Sequence, residues 1–195
     1  LKLTPLNFTL GAYNTAIRRR PDAWETLYYH PDDDTLAGRQ AKKGSPVDKI
    51  NNLHQALTLV LQEFVRTCNE GGLHWDGLQY GGKKWDVVFK FAVAFVVGDT
   101  ELHDALCGRH ASCNKVQSLC RHCDCSTEHI VVPAEARKAR LYEPKRVDPT
   151  KHKLDYFQSI SHHPIINAFH DVEFGANKCN IHLGSPGETL HMVQK

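Results

Sequence analysis

Between positions 46 and 67, Ile50, Leu53, Leu57, Val60, Leu61 and Phe64 recur at three- and four-residue spacing, which places them on one face of a helix. Ser45, Pro46 and Asp48 supply its start signal and Gly71-Gly72 its stop. His54 falls on this helix and reads as a structural or surface residue. The period then changes to two. Trp75 to Tyr80 predicts a short strand, Gly81-Gly82 a turn, and Trp85 to Val97 a long strand with Phe89, Phe91, Val93, Phe95 and Val97 on one face. Most of the opposite face is small and apolar too, which predicts a central strand covered on both sides. A helix is the rival for such a run, but β-branched and aromatic residues favour the strand. Asp99 then either stands at the strand's carboxyl end, where open sheets place their sites, or caps a helix over 101–106.

The flanks are less regular. Residues 1–46 read as extended structure and then loop, with a strand ending at Phe8-Thr9-Leu10-Gly11. Arg18-Arg19-Arg20-Pro21 and Pro31-Asp32-Asp33-Asp34 mark turns and surface. Residues 133–142 suggest a basic helix carrying Arg137, Lys138 and Arg140, followed by Lys145 and Arg146 in a proline-broken stretch. Such residues form either a solvated basic face or a patch that meets a phosphate backbone. Residues 154–180 mix apolar and histidine positions around His162-His163-Pro164, and Ser185 or Gly187 is expected to open a further helix.

Composition narrows the classes. With 195 residues, 41% hydrophobic, the chain can bury a core. Lys plus Arg is 24 against 22 for Asp plus Glu, so a polycation that coats nucleic acid is excluded and any such contact must be local. The longest apolar run, Phe91 to Val97, is far short of the ~20 residues that span a bilayer, so no membrane association is expected. No signal-peptide pattern opens the chain, which starts at Leu1, and it reads as a fragment of a longer protein.

Seven cysteines are present, four of them between Cys113 and Cys125. A secreted disulfide scaffold would be shorter and would spread its cysteines. Cys120-Arg121-His122-Cys123-Asp124-Cys125 holds a C-x-x-C, whose two thiolates can reach one tetrahedral Zn²⁺ from a tight turn. Cys107, Cys113, His110 and His129 stand near enough in sequence to complete four ligands. Of these we expect Cys120 and Cys123, completed from Cys125, Cys107 or His129, to furnish the set. A site this rich in thiolate is closed and structural. A redox dithiol is less favoured because no thioredoxin-like βαβ pattern surrounds it, and a zinc hydrolase because H-E-x-x-H is absent. Asp99 and Glu188 are the carboxylates placed to serve a two-metal phosphoryl-transfer site.

Four stretches carry a resemblance. They are Pro5 to Gly11 with Ala23 to Leu27, Phe89 to Gly108, Leu119 to Cys125, and Pro186-Gly187-Glu188-Thr189-Leu190-His191. In order and spacing they resemble the CACTA/Plavaka-like transposases of eukaryotic cut-and-paste elements. A more distant likeness reaches the catalytic core of the antigen-receptor recombinase. The resemblance implies an α/β, RNase H-like mixed sheet with flanking helices and a zinc-binding insertion. By this division 1–106 is the first part of the core, 107–130 the insertion, and 131–195 a basic segment returning to the core. It implies metal-dependent DNA cleavage and strand transfer by three acids, with structural Zn²⁺ and catalytic Mg²⁺ or Mn²⁺. Glu188 matches the second acid, at a position where many relatives carry Asp, and Asp99 matches a recurrent aspartate that is catalytic or, by the more distant comparison, a structural or helper residue rather than a member of the triad. The remaining acids are expected upstream of Leu1 and downstream of Lys195. DNA is the implied partner, the nucleus the implied location, and a homo-oligomer the implied state of the full-length protein. The rival expectation is a domesticated, non-catalytic zinc module that binds DNA or protein.

Overall fold

A computed structural model describes residues 3–31, 46–110, 117, 153–175 and 180–185. The chain is mixed α and β, with two two-stranded antiparallel sheets, one long helix and several short ones among the described residues. It divides into two compact units, Leu1–Val60 and Leu61–Lys195.

In the first unit β1 (Leu3–Phe8) pairs antiparallel with β2 (Glu25–Pro31), with an irregularity between Leu6 and Asn7. The connection holds α1 (Thr15–Arg18), capped by the Asn14 side chain, and a 3-10 turn at Pro21–Ala23. Side chains pin this loop to the hairpin. Thr9 Oγ1 donates to the Ala23 carbonyl at 2.6 Å, and the Trp24 indole N–H donates to the Arg18 carbonyl at 2.7 Å. The Arg18 to Pro21 stretch is thus a turn, as its sequence predicts.

Helix α2 (Pro46–Asn69) crosses the boundary between the units. Its predicted apolar stripe is real, with Leu57 and Leu61 buried, and it also carries His54 with no exposed surface. On the solvent side Arg66 bridges Glu63 at 2.7 Å and Glu70 at 3.0 Å. The helix ends where predicted. Gly72, at φ +124°, lets its N–H reach the Thr67 carbonyl at 2.9 Å, and a Cβ there would lie 2.5 Å from the Phe89 carbonyl oxygen.

In the second unit β3 (Leu73–Tyr80) and β4 (Lys83–Phe89) form a hairpin around Gly81-Gly82, both in the left-handed region that two-residue hairpin turns use. The long strand predicted over 85–97 is corrected here. Regular pairing stops at Phe89, and among the described residues β4 pairs with β3 alone. Beyond it the chain is held by single bonds. The Cys68 thiol lies 3.6 Å from the Phe91 carbonyl. Val93 bridges to Phe174, and the Val96 N–H donates to the Gly184 carbonyl at 2.7 Å. Phe91, Phe95 and Val97 stay exposed, so the run is not covered on both sides. Its partners are irregular segments, which offer no ladder to extend.

Helix α3 (Thr100–Leu106) follows, then α4 (Leu154–Ser159) and α5 (Ile181–Gly184). The Asn180 side chain caps the start of α5 and Ser185 is its C-cap; the helix expected to open at Ser185 or Gly187 lies outside the described residues. Among the described residues, the buried apolar ones of this unit are Leu61, Leu106, Cys107, Phe157, Ile165, Phe169, Val172, Phe174 and Ile181. Phe169 and Phe174 pack with ring centroids 5.9 Å apart.

Candidate functional site

The site forms where α3 meets the segments 160–163 and 180–185. Asp99 is the N-cap of α3, its Oδ1 accepting the Leu102 N–H at 2.7 Å. This is the capping role its sequence position allowed. The residue is exposed, and a carboxylate keeps a second oxygen. Cys107 is the C-cap of the same helix, buried, with Sγ 3.5 Å from Ser185 Oγ. Eight residues of helical rise, about 12 Å, separate the two ends, so one metal ion cannot be held by both Asp99 and Cys107.

The segment leading into Glu188 is fastened to the segment leading into Asp99. Beyond the Val96–Gly184 bond and the Cys107–Ser185 contact, Ser185 Oγ donates to the Ile181 carbonyl at 2.5 Å. Gly184 lies so close to Phe174 that a Cβ would sit 2.3 Å from its ring.

Around this seam polar side chains are buried: His103, Asp104, Arg109, Ser161, His163, His182 and Ser185. His103 Nε2 lies 3.1 Å from the Val96 carbonyl, and His162 Nδ1 lies 2.7 Å from the Ile160 carbonyl. The backbone is laced as well. The His110 N–H donates to the Ser161 carbonyl at 3.0 Å, and the His163 N–H to the Gly108 carbonyl at 2.9 Å. The His110 and His163 rings stand 4.0 Å apart, and those of His162 and His182 5.5 Å apart. Burial pulls the His110 pKa below the ordinary histidine value; a backbone hydrogen bond with His162 opposes this, and the Arg109 charge reinforces it. Burial also pushes the Cys68 thiol up, with the Glu173 charge adding to it. The sequence singles out His162-His163-Pro164 but not His103 or His182 as site residues. Their one signal was an excess of histidine, 13 in the chain, which composition does not localise.

Glu188, Cys120, Cys123, Cys125 and His129 lie outside the described residues, as do Arg137, Lys138, Arg140, Lys145 and Arg146. Only Cys107 of the expected zinc ligands is described. Among the described residues no group of three or more His, Cys, Asp or Glu is arranged to hold a metal. Cys107 therefore contributes at most one ligand here, and the zinc expectation stands on the Cys120 to Cys125 motif. No described helix is long and apolar enough to cross a membrane. No protein family, curated protein or solved structure matches the chain.

Proposed function

We propose that this chain is part of the catalytic core of a DNA transposase, with an RNase H-like fold carrying a zinc-binding insertion. The supporting observation is the seam just described. Residues 96–107 and 180–185 are far apart in sequence, yet they are joined at Val96–Gly184 and Cys107–Ser185. One segment carries Asp99 and the other precedes Glu188, three residues after Ser185 in sequence. A two-metal site needs carboxylates delivered by separate elements to one place. In the complete protein those carboxylates would hold Mg²⁺ or Mn²⁺, which stabilise the attacking and leaving oxygens of phosphoryl transfer. This chain's own contribution is to fix the backbone that carries them. The α3 cap orients Asp99, and the buried Cys107–Ser185 contact anchors the segment before Glu188.

The Cys120 to Cys125 segment would supply a structural Zn²⁺ site, and Arg137, Lys138, Arg140, Lys145 and Arg146 would meet the DNA backbone. One observation favours the non-catalytic alternative: an oxygen of Asp99 already serves the helix cap. The genomic DNA around the coding segment separates the two. An open frame that adds an Asp upstream and a Glu downstream, bounded by inverted terminal repeats, is the expected result. A frame without those acids would contradict the transposase assignment and leave the zinc module.

A further inference from the structure

The β3–β4 hairpin has one aromatic face that is open to solvent. Its register sets Leu73 opposite Phe89, Trp75 opposite Val87, Leu78 opposite Trp85 and Tyr80 opposite Lys83, so these residues share that face. Tyr80 is 78% exposed, Trp75 50% and Trp85 48%. The large rings are oriented from within the hairpin. The Trp85 indole N–H donates to the Tyr80 carbonyl at 3.1 Å, and Trp75 packs edge-to-face with Phe89 at 6.5 Å between centroids. Rungs two residues apart on a strand lie about 7 Å from each other, so Trp75 and Trp85 present separate rings along the face.

Of the residues that the register places on this face, the charged one is Lys83, which is exposed beside Tyr80. Lys84, paired with Gln79, belongs by strand alternation to the opposite face, and Asp76 lies in the irregularity between Trp75 and Leu78. The Asp86 carboxylate also belongs to the opposite face, where it accepts the Gly77 N–H at 2.9 Å across that irregularity. Exposed rings beside an ammonium group match the two needs of an unpaired strand, stacking for its bases and a cation for its phosphates. A duplex hides its base faces, and an apolar protein partner would leave Lys83 unmatched.

We propose that this hairpin face binds single-stranded nucleic acid, with bases stacked on Trp75, Trp85 and Tyr80 and a phosphate met by Lys83. Such binding requires neither Asp99, Glu188 nor a metal ion, so it stands or falls separately from the strand-transfer assignment.

The test uses the whole 195-residue chain, EDTA, and a labelled thymidine oligonucleotide of about 12 nucleotides, with a duplex of equal length as comparison. Affinity is read by fluorescence anisotropy. Contact is read by tryptophan quenching in a Trp24→Phe background, which leaves Trp75 and Trp85 as the reporters. The expected result is saturable quenching, with the single strand bound on the order of tenfold more tightly than the duplex. Trp75→Ala and Trp85→Ala each weaken binding by about tenfold. Tyr80→Ala, a side chain mostly in solvent, weakens it several-fold with an unchanged circular dichroism spectrum. Lys83→Gln lowers the salt dependence by about one phosphate contact. Four outcomes would overturn the proposal. They are absence of saturable binding, equal affinity for the duplex, unchanged binding by the Tyr80 and lysine variants, and tryptophan-dependent self-association without oligonucleotide binding.

Discussion

Asp99 shows how one side chain can serve structure and chemistry through different properties. As an N-cap it needs an oxygen that accepts the Leu102 N–H; as a metal ligand it needs a negative charge. Asn keeps the first and loses the second. Asp99→Ala should therefore cost about 1 kcal/mol of stability in urea unfolding, and Asp99→Asn close to nothing. Equal losses from both would mean that the charge, not the cap, stabilises α3. Gly184 makes a different point, because its constraint is space. A Cβ there would lie 2.3 Å from a Phe174 ring that has no exposed surface in which to retreat. Gly184→Ala should destabilise by about 1–3 kcal/mol, as overpacking does, and urea unfolding measures it. The Gly184 constraint is not visible in the sequence around it, since the ring it meets is ten positions away and in another segment.

At the scale of elements, legibility followed length and punctuation. Helix α2 was readable because 24 residues carry several turns of apolar period, closed by Gly71-Gly72. The hairpin was readable from Gly81-Gly82, and α3 from Asp99 ahead of a short apolar pattern. Helices α4 and α5, of six and four residues, are too short to show a period, and α5 is set by its Asn180 cap. The run 90–97 misled because Phe, Val and Ala alternation states a preference for extended backbone but does not name a partner. The backbone is extended enough to bond Glu173, Gly175 and Gly184, yet these bonds belong to irregular chain.

The seam between α3 and residues 160–163 carries its own pH dependence. Burial lowers the folded-state pKa of His110 below the ordinary value of 6.5, so its neutral form is favoured. Above that value folded and unfolded states both hold His110 neutral, and the stability is fully present. As pH falls below 6.5 the unfolded state takes up the proton first, and stability declines until the folded-state pKa is passed. The thermal midpoint should therefore drop as pH falls below 6.5, and His110→Gln should flatten that drop. A midpoint equally steep in the variant would assign the titration elsewhere.

For the molecule as a whole, sequence and structure inform different parts. The structure shows a mixed α/β chain and the fastening of 96–107 to 180–185. The sequence alone supplies the zinc motif, the basic segment and Glu188, which fall outside the described residues. Each half makes a demand on the other. If Cys120 and Cys123 hold a structural ion, the purified chain should retain about one zinc after dialysis, and Cys120→Ser with Cys123→Ser should lose it. Metal analysis that finds zinc retained in that double variant would remove the C-x-x-C from the site.

The central claim, that Glu188 serves phosphoryl transfer in a core completed by acids outside these residues, is tested most directly by DNA cleavage. The complete open reading frame and the isolated 195-residue chain would each be incubated with terminal-repeat DNA and Mg²⁺ or Mn²⁺. The complete protein should nick and join the ends, Glu188→Gln should reduce this by several orders of magnitude, and the isolated chain should leave the DNA intact. Full activity in the Glu188→Gln protein, or robust cleavage by the isolated chain that disappears in its Glu188→Ala variant, would contradict the account.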